Sequence, residues 1–405
     1  MRTILFPEWL IDGSGAAPLT QQAVVLVGDQ IEKIVPANTS EMPTNDETHA
    51  IIRLPNMTLL PGLINHHAHL VLPGDNTPFF AMNDESDATL ALRAAHNIAK
   101  SLQAGVTTVR DCGGRGTVII DAREAQRKGL AHGARIVSCG WTLTITGGHT
   151  RNFGGECDGV DGVRTMTRRV ISQGAEYVKV MASGGGTPGS LPSHPSFSVA
   201  ELRAIVELAH SMGKTVTAHC TCTAAIANAV EAGVDFIEHA MFTSPETPNT
   251  YDPRVAAKLA KSGIRVTPTL QVFRDLVDWL PAGPERTGWK IRNETHELQI
   301  SHLIELGVPL LAGSDAGWRA TDFDTFWKEL DELVICGLSP VQAIHAATGA
   351  ISQALQHHEK FGLVQAGYLA DLLVVDGDVS SDIRCLQQVR AVFQSGQLAH
   401  STLRP

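Results

Sequence analysis

Between residues 62 and 315, short runs rich in apolar and β-branched residues alternate with longer stretches of helical spacing, and this alternation limits the fold more than any other feature. Eight such runs occur, at 62–69, 105–111, 135–141, 175–182, 215–220, 236–239, 264–269 and 308–315. Intervening segments such as 88–104 and 198–212 repeat Leu, Ile, Ala and Val at helical intervals, and several end in a glycine, where a helix stops. A strand lying parallel to its predecessor has to be reached by a crossover, usually a helix. Eight strand–helix units predict an α/β fold: a (β/α)8 TIM barrel over residues 59–361, with functional side chains at the C-terminal strand ends.

The two ends of the chain belong together. Residues 23–27 and 30–35 flank Gly28-Asp29 as a hairpin, and 51–54 forms a further strand. Near the far end, 370–376 is an apolar strand, and 391–398 turns back on itself at Ser395-Gly396. Neither terminal stretch buries enough surface alone. Pairing 1–58 with 362–405 into one small β-sandwich, split by the central domain, solves this for both. Residues 37–50, rich in Thr, Asn, Glu and Pro, suit a solvated loop.

Composition excludes several roles. At 405 residues and 43% hydrophobic content, the chain can bury a large core. Its 32 Lys and Arg against 42 Asp and Glu give a net charge of −10, with no basic tract to release counterions from phosphates, so no nucleic-acid partner is expected. Nowhere do about 18 apolar residues run unbroken, and Pro7 interrupts the N-terminus too early for a signal-peptide core. No membrane association and a cytoplasmic location follow as expectations. The seven cysteines lack CxxC pairs and fit a reducing compartment. Cys220 and Cys222 suggest a thiolate site, but the strand parity that aims His219 inward turns both away, as expected of buried free thiols.

Chemistry gathers at the strand ends. In Pro61-Gly62-Leu63-Ile64-Asn65-His66-His67-Ala68-His69, the two-residue strand period aims His67 and His69 to one face and His66 to the other. Two converging neutral imidazoles make half a metal site, though HxH alone also describes a structural pair. Lys179 lies inside the apolar run Tyr177-Val178-Lys179-Val180-Met181. Burial there favours a neutral amine, which can take up carbon dioxide as a carbamate and bridge two metals; the alternative is a carboxylate partner. The fifth, sixth and eighth runs end in His219, His239 and Asp315. A lone histidine at such a rim is usually structural, whereas these six groups around one mouth suffice for two metals with Lys179 shared.

The pattern resembles the amidohydrolase superfamily over nearly the whole chain. Its opening signature is similar to Pro61-Gly62-Leu63-Ile64 before His67 and His69, and its closing sandwich strand to Gly367-Tyr368-Leu369-Ala370-Asp371-Leu372-Leu373-Val374. Tyr177 to Gly185 and Thr146-Gly147-Gly148-His149 resemble the prolidase-like branch, which includes binuclear dipeptidases and carboxypeptidases and relatives acting on ochratoxin, thiocarbamates (as molinate hydrolase does) or phenylureas.

That resemblance implies one metal on His67, His69 and Asp315, a second on His219 and His239, and carboxylated Lys179 between them. Zinc suits these donors, and iron, manganese or cobalt also fit. A bridging hydroxide is then expected to attack an amide carbonyl while Asp315 serves as general base and acid. His149 is a candidate donor to the carbonyl oxygen, or else a plain surface histidine. Arg151, Thr221 and Arg319 are candidate substrate contacts, the arginines for a carboxylate. Where several peptide-cleaving members carry a tyrosine soon after the fifth-strand histidine, this chain has Cys220-Thr221-Cys222, which leaves room for an uncharged amide, carbamate or urea. The loop 184–198 and the segment 271–289, with Phe273, Trp279 and Trp289, form either a partly apolar lid over a small-molecule substrate or packing for a helix or subunit contact in a homo-oligomer. Esters, lactones or phosphotriesters would suit the same nucleophile. A noncatalytic scaffold would have lost ligands, and none is missing.

Overall fold

Both chain ends contribute strands to one mixed eight-stranded sheet in the computed structural model, which describes residues 2–37, 49–75, 77, 79–355 and 360–403. From the N-terminus come β1 (Arg2–Leu10), β2 (Leu19–Thr20), β3 (Gln22–Val27), β4 (Gln30–Pro36) and β5 (His49–Pro61). The central strands are β6 (Leu63–Ala68), β7 (Val106–Asp111), β8 (Arg135–Ser138), β9 (Val178–Val180), β10 (Val216–His219), β11 (Phe236–Glu238) and β12 (Arg265–Thr267). The C-terminus adds β13 (Leu372–Asp376), β14 (Val389–Gln394) and β15 (Gln397–Ser401). The terminal sheet runs β15-β14-β13-β5-β1-β3-β4, with β2 on β1. Alternation sends Leu5, Val24 and Leu26 into one apolar cluster and Ile4, Ala23 and Val25 into another. The strands expected to form the small β-sandwich are hydrogen-bonded in one continuous path, with apolar side chains on both faces. Most of the expected 37–50 loop lies outside the described residues.

Only Gly62 separates β5 from β6. Its amide donates to the Asp371 carbonyl at 2.8 Å, and a side chain there would lie 2.3 Å from Thr107. The terminal sheet thus runs straight into the strand bearing His67.

The central strands are parallel, forming ladders β6-β7-β8 and β9-β10-β11-β12. All six residues of β6 are buried, as a strand covered on both faces requires. Helices return the chain between strands. In the helix Asp87–Gln103, Leu90, Ala94, Ile98 and Leu102 are buried, and Ser86 caps it by accepting from the Thr89 amide at 3.1 Å. Ser198 and Glu201 form a reciprocal capping box on the helix Val199–Ser211.

One expectation needs correction: the run 308–315 forms no regular strand. Isolated bridges hold it instead, with Leu311 N donating to Val266 O at 2.9 Å and Asp315 N to His67 O at 2.9 Å. The physical reason is local. Pro309 has no amide proton, Ala312 N turns to Ala346 O, and the Asn65 side chain intercepts the amides of His67 and Ser314 at 3.1 Å each. On the other side, Glu176 N donates to Ser138 O and Leu143 N to Lys179 O, both at 2.8 Å. The result is a parallel, TIM-barrel-like α/β arrangement whose ladders do not close into an unbroken ring.

Candidate metal centre

Strand parity and strand ends bring the six groups expected from the sequence to one cavity of about 200 Å³, lined by His67, His69, Lys179, His219, His239 and Asp315. The imidazoles form a chain of rings: His69 to His67 centroids lie 5.4 Å apart, His67 to His239 5.1 Å, and His239 to His219 4.5 Å. Candidate donor atoms of His67, His239 and Asp315 all fall within 4.8 Å of one another. Asp315 Oδ1 lies 3.3 Å from Nε2 of both His67 and His69. His239 and Asp315 sit at φ 67° and 59°, a left-handed backbone that costs about 1–3 kcal/mol each and is kept where a site needs it.

The outer nitrogen of each ring is occupied, which leaves the inner one facing the cavity. His67 Nδ1 donates to Glu238 Oε2 at 2.8 Å, and His69 Nδ1 to Gly113 O at 2.9 Å. His239 Nδ1 meets Thr269 Oγ1 at 2.7 Å, while His219 engages through Nε2, with Gly184 O at 3.1 Å, leaving its Nδ1. Such contacts fix ring orientation in metal sites. Burial, aided by neighbouring positive charge, holds His219 and His239 well below the ordinary imidazole range, so both keep a free lone pair. Burial opposes charge on Asp315, yet His67 and His69 hold its carboxyl well below the usual carboxylate range.

Lys179 is 1% exposed, and its Nζ has no hydrogen-bond partner. No carboxylate contacts it directly among the described residues, although against burial its charge helps hold the nearby Glu238 carboxyl well below the ordinary range. A buried orphaned amine beside four imidazoles and a carboxylate whose Oδ1 faces two of those rings fits a pair of divalent cations. A second convergence, His67 with Cys112 and Glu238, uses the Nδ1 side of His67, already taken by Glu238.

His149 comes to the same cavity, its ring 4.7 Å from that of His219. Its tautomer follows from its neighbours. Thr187 Oγ1 accepts from Thr150 N at 3.0 Å and so can donate its own proton to His149 Nδ1, 2.9 Å away. Nε2 then carries the proton, and burial pushes His149 down to about 3, so it is a neutral donor. Gly185 crosses this ring so closely that a Cβ would lie 2.5 Å from Nε2.

The substrate-contact candidates are placed differently. Thr221 lines the cavity, but its hydroxyl is engaged with Gly184 O at 2.8 Å and Pro192 O at 2.9 Å, pinning the 184–198 loop. Arg319 is exposed at the rim, over Trp318 at 4.8 Å. Arg151 is not among the cavity-lining residues and donates to Pro188 O at 2.9 Å. The 271–289 segment is not a loop: it divides between the helices Gln271–Trp279 and Pro284–Glu305, and Phe273 and Trp289 reach the cavity. Cys220 and Cys222 are buried free thiols pushed up by burial, as expected.

Sequence reasoning missed Glu238 and Arg110. Glu238 is fully buried, bonded to His67, to Thr217 and to Arg110 Nη1 at 3.1 Å, and the guanidinium lies 3.5 Å over the Tyr177 ring. A carboxylate at a strand end does signal such a partner, but its opposite parity to His239 hides which ring it serves.

The class defined here is a parallel α/β hydrolase with its polar centre at the C-terminal strand ends. Residues 58–399 match the Amidohydrolase family, and the chain belongs to that family, whose members generally use divalent metals; it is a hydrolase acting on carbon–nitrogen bonds. It is 28% identical to the ochratoxinase of Aspergillus niger over 96% of this chain and 84% of that protein. The crystal structure of that ochratoxinase superposes with a TM-score of 0.84 at 26% identity, covering 99% of this chain and 96% of the other. A Xaa-Pro dipeptidase with methionine bound in its active site gives a TM-score of 0.87 at 26% identity, covering 98% and 99%. Among the described residues, no helix is long and apolar enough to cross a membrane.

Proposed function

We propose that this chain is a binuclear metal-dependent hydrolase that cleaves an amide-type bond in an N-acyl amino acid, a dipeptide or a related amide, carbamate or urea. The orphaned Lys179 Nζ, buried among four imidazoles and Asp315, is the observation that carries it. His67, His69 and Asp315 would hold one divalent ion and His219 and His239 the other, with Lys179 joining them as a carbamate; zinc is the ion we favour. Ions held there would supply an activated water near neutral pH and polarise a carbonyl.

The protein's own groups do the rest. Asp315 Oδ1 takes the proton of the attacking water and returns it to the departing nitrogen. His149 Nε2–H donates to the carbonyl oxygen as it gains charge. Met181 and Val272 line the cavity and help exclude water. Arg319 stands at the mouth, while Arg151 and Thr221 shape the loops around it. The amide substrates named by the ochratoxinase and the Xaa-Pro dipeptidase support this class.

Other parts of the reading follow from the same features. The regions 1–58 and 362–405 serve as one unit around a barrel domain of 59–361. Seven free cysteines accord with a reducing cytoplasm. Ile291 and Leu298, both 57% exposed and one heptad apart on the Pro284–Glu305 helix, support a subunit contact in a homo-oligomer.

Metal content should be measured first. The zinc-reconstituted protein is then assayed on N-acyl amino acids, dipeptides, aryl carbamates, phenylureas and lactones. Turnover of an amide-type substrate that vanishes on chelation and returns with zinc is the expected result. Activity indifferent to chelation, or confined to lactones, would refute the proposal.

A further inference from the structure

We infer that Arg292 is the receptor for a substrate carboxylate, so that the bond cleaved lies in an N-acylated α-amino acid or a short peptide with a free C-terminus. This deepens the hydrolase reading above and rests on it.

Arg292 lines the same cavity as the six metal-site groups. Among the described residues no carboxylate pairs with it: its Nε is buried without a partner, and Nη2 has only the Met241 sulfur at 3.8 Å. Burial alone pulls the guanidinium below its ordinary value. A cation held this way lacks a counter-charge, and a ligand's carboxylate would provide it.

Its surroundings favour a planar anion. The guanidinium carbon lies 5.2 Å from the Trp289 ring centre and 5.9 Å from that of Phe273, so two aromatic faces flank it while its N–H fork meets only the weak Met241 sulfur acceptor. That fork matches a carboxylate through two parallel hydrogen bonds. The other arginines nearby are engaged or exposed. Arg274 is paired with Asp331 at 3.0 Å and Glu332 at 2.8 Å, Arg151 is bound to backbone, and Arg319 sits in solvent at the rim.

Its position relative to the metal centre is also set. Four residues on, and so on the same helical face, His296 donates from Nε2 to the carbonyl of His239 at 2.8 Å. The helix is thereby tied to the strand end that presents a metal-site imidazole, and Arg292 stands at a fixed offset from it. Apolar Met241, Val272 and Phe273 line the cavity beside it and suit the substrate's side chain. The uncharged amide left open by Cys220-Thr221-Cys222 is then disfavoured, because a cation on a different element can receive a carboxylate.

The test compares N-acyl amino acids with their carboxamides on zinc-reconstituted wild-type, Arg292→Gln and Arg292→Lys protein. Lys290→Gln, which removes an exposed charge from the same helix, is the control. Wild type should prefer the acid in kcat/KM by about 30-fold or more. That ratio should collapse toward one in Arg292→Gln, chiefly through KM, recover in part in Arg292→Lys, and persist in Lys290→Gln. Binding of 3-phenylpropionate and its carboxamide, followed by tryptophan fluorescence, gives a readout independent of turnover, and Arg292→Met serves if the Gln variant fails to fold. Equal acid-to-carboxamide ratios in wild type and the variants, in both assays, would overturn the inference. Should wild type cleave neither member of any pair, the hydrolase reading fails, and the binding ratio alone decides the role of Arg292.

Discussion

Glu238 Oε2 accepts a hydrogen bond from His67 Nδ1 at 2.8 Å, while the other oxygen of the same carboxylate takes Arg110 Nη1 at 3.1 Å. One buried carboxylate therefore aims a cavity-lining imidazole and neutralises a guanidinium beneath it. Glu238→Gln should weaken metal binding by about 10- to 100-fold, because an amide holds the His67 ring less firmly. Competition with a chelator, read by metal analysis, measures this, and wild-type affinity in the variant would show that Glu238 serves only Arg110.

Lys179 should matter to the ions and not to the fold. Replacing a buried unpaired amine with methionine removes a polar group that costs roughly 1–3 kcal/mol to bury unsatisfied. Metal-free Lys179→Met is expected to melt at or above metal-free wild type while retaining fewer ions. Calorimetry and metal analysis check both halves. Bicarbonate should speed reconstitution of wild type and leave the variant unaffected.

Asp315→Asn keeps one oxygen donor but cannot take up a proton. Turnover should fall by about 10²- to 10⁴-fold with much of the metal retained, the range general acid–base groups contribute. Full activity in this variant would dismiss the proton-transfer role.

His149→Ala should lower kcat by about 10²- to 10³-fold, the cost of one donor to a developing oxyanion. Gly185→Ala should reproduce most of that loss, since the added methyl would occupy the place of the His149 ring. Steady-state kinetics on the pair tests the idea; a normal kcat in both variants would mean that His149 makes no contact with the reacting carbonyl.

Stability should fall as pH rises toward 8. Burial pushes Glu329 up to about 8; its Oε2 accepts from Gln271 N at 2.7 Å, and its Oε1 is buried without a partner. The folded protein thus holds a proton that the unfolded chain releases near pH 4.5. Its contribution is complete below that pH and is lost as pH climbs through about 8, at up to roughly 1.4 kcal/mol per unit for one proton. Glu329→Gln should flatten the denaturation profile between those limits, and an unchanged slope would assign it to other groups.

The convergence of the six candidate ligands on one cavity was legible because strand geometry is periodic. Parity alone sorts His67 and His69 from His66, and His219, His239 and Asp315 stand at or just past the ends of their runs, where side chains face the mouth. The eighth run misled for a related reason: its apolar pattern is a strand's, but Pro309 and the Asn65 side chain disrupt its ladder, and neither effect is visible in periodicity. Arg110 and Glu238 are 128 positions apart, so their pairing awaits the fold. Arg292 was hidden differently. The buried stripe of its helix is occupied by Asn293, His296 and Gln299 as well as Ile300 and Leu303, so hydropathy could not reveal which face turns inward.

The direct passage from β5 through Gly62 into β6 couples the scaffold to the site. With Gly62 hemmed in by Thr107, the joint has no room for a side chain, and the scaffold strand continues without a loop into the strand that bears His67. A side chain at position 62 would force the two strands apart, so damage at a residue outside the cavity lining is passed directly to His67.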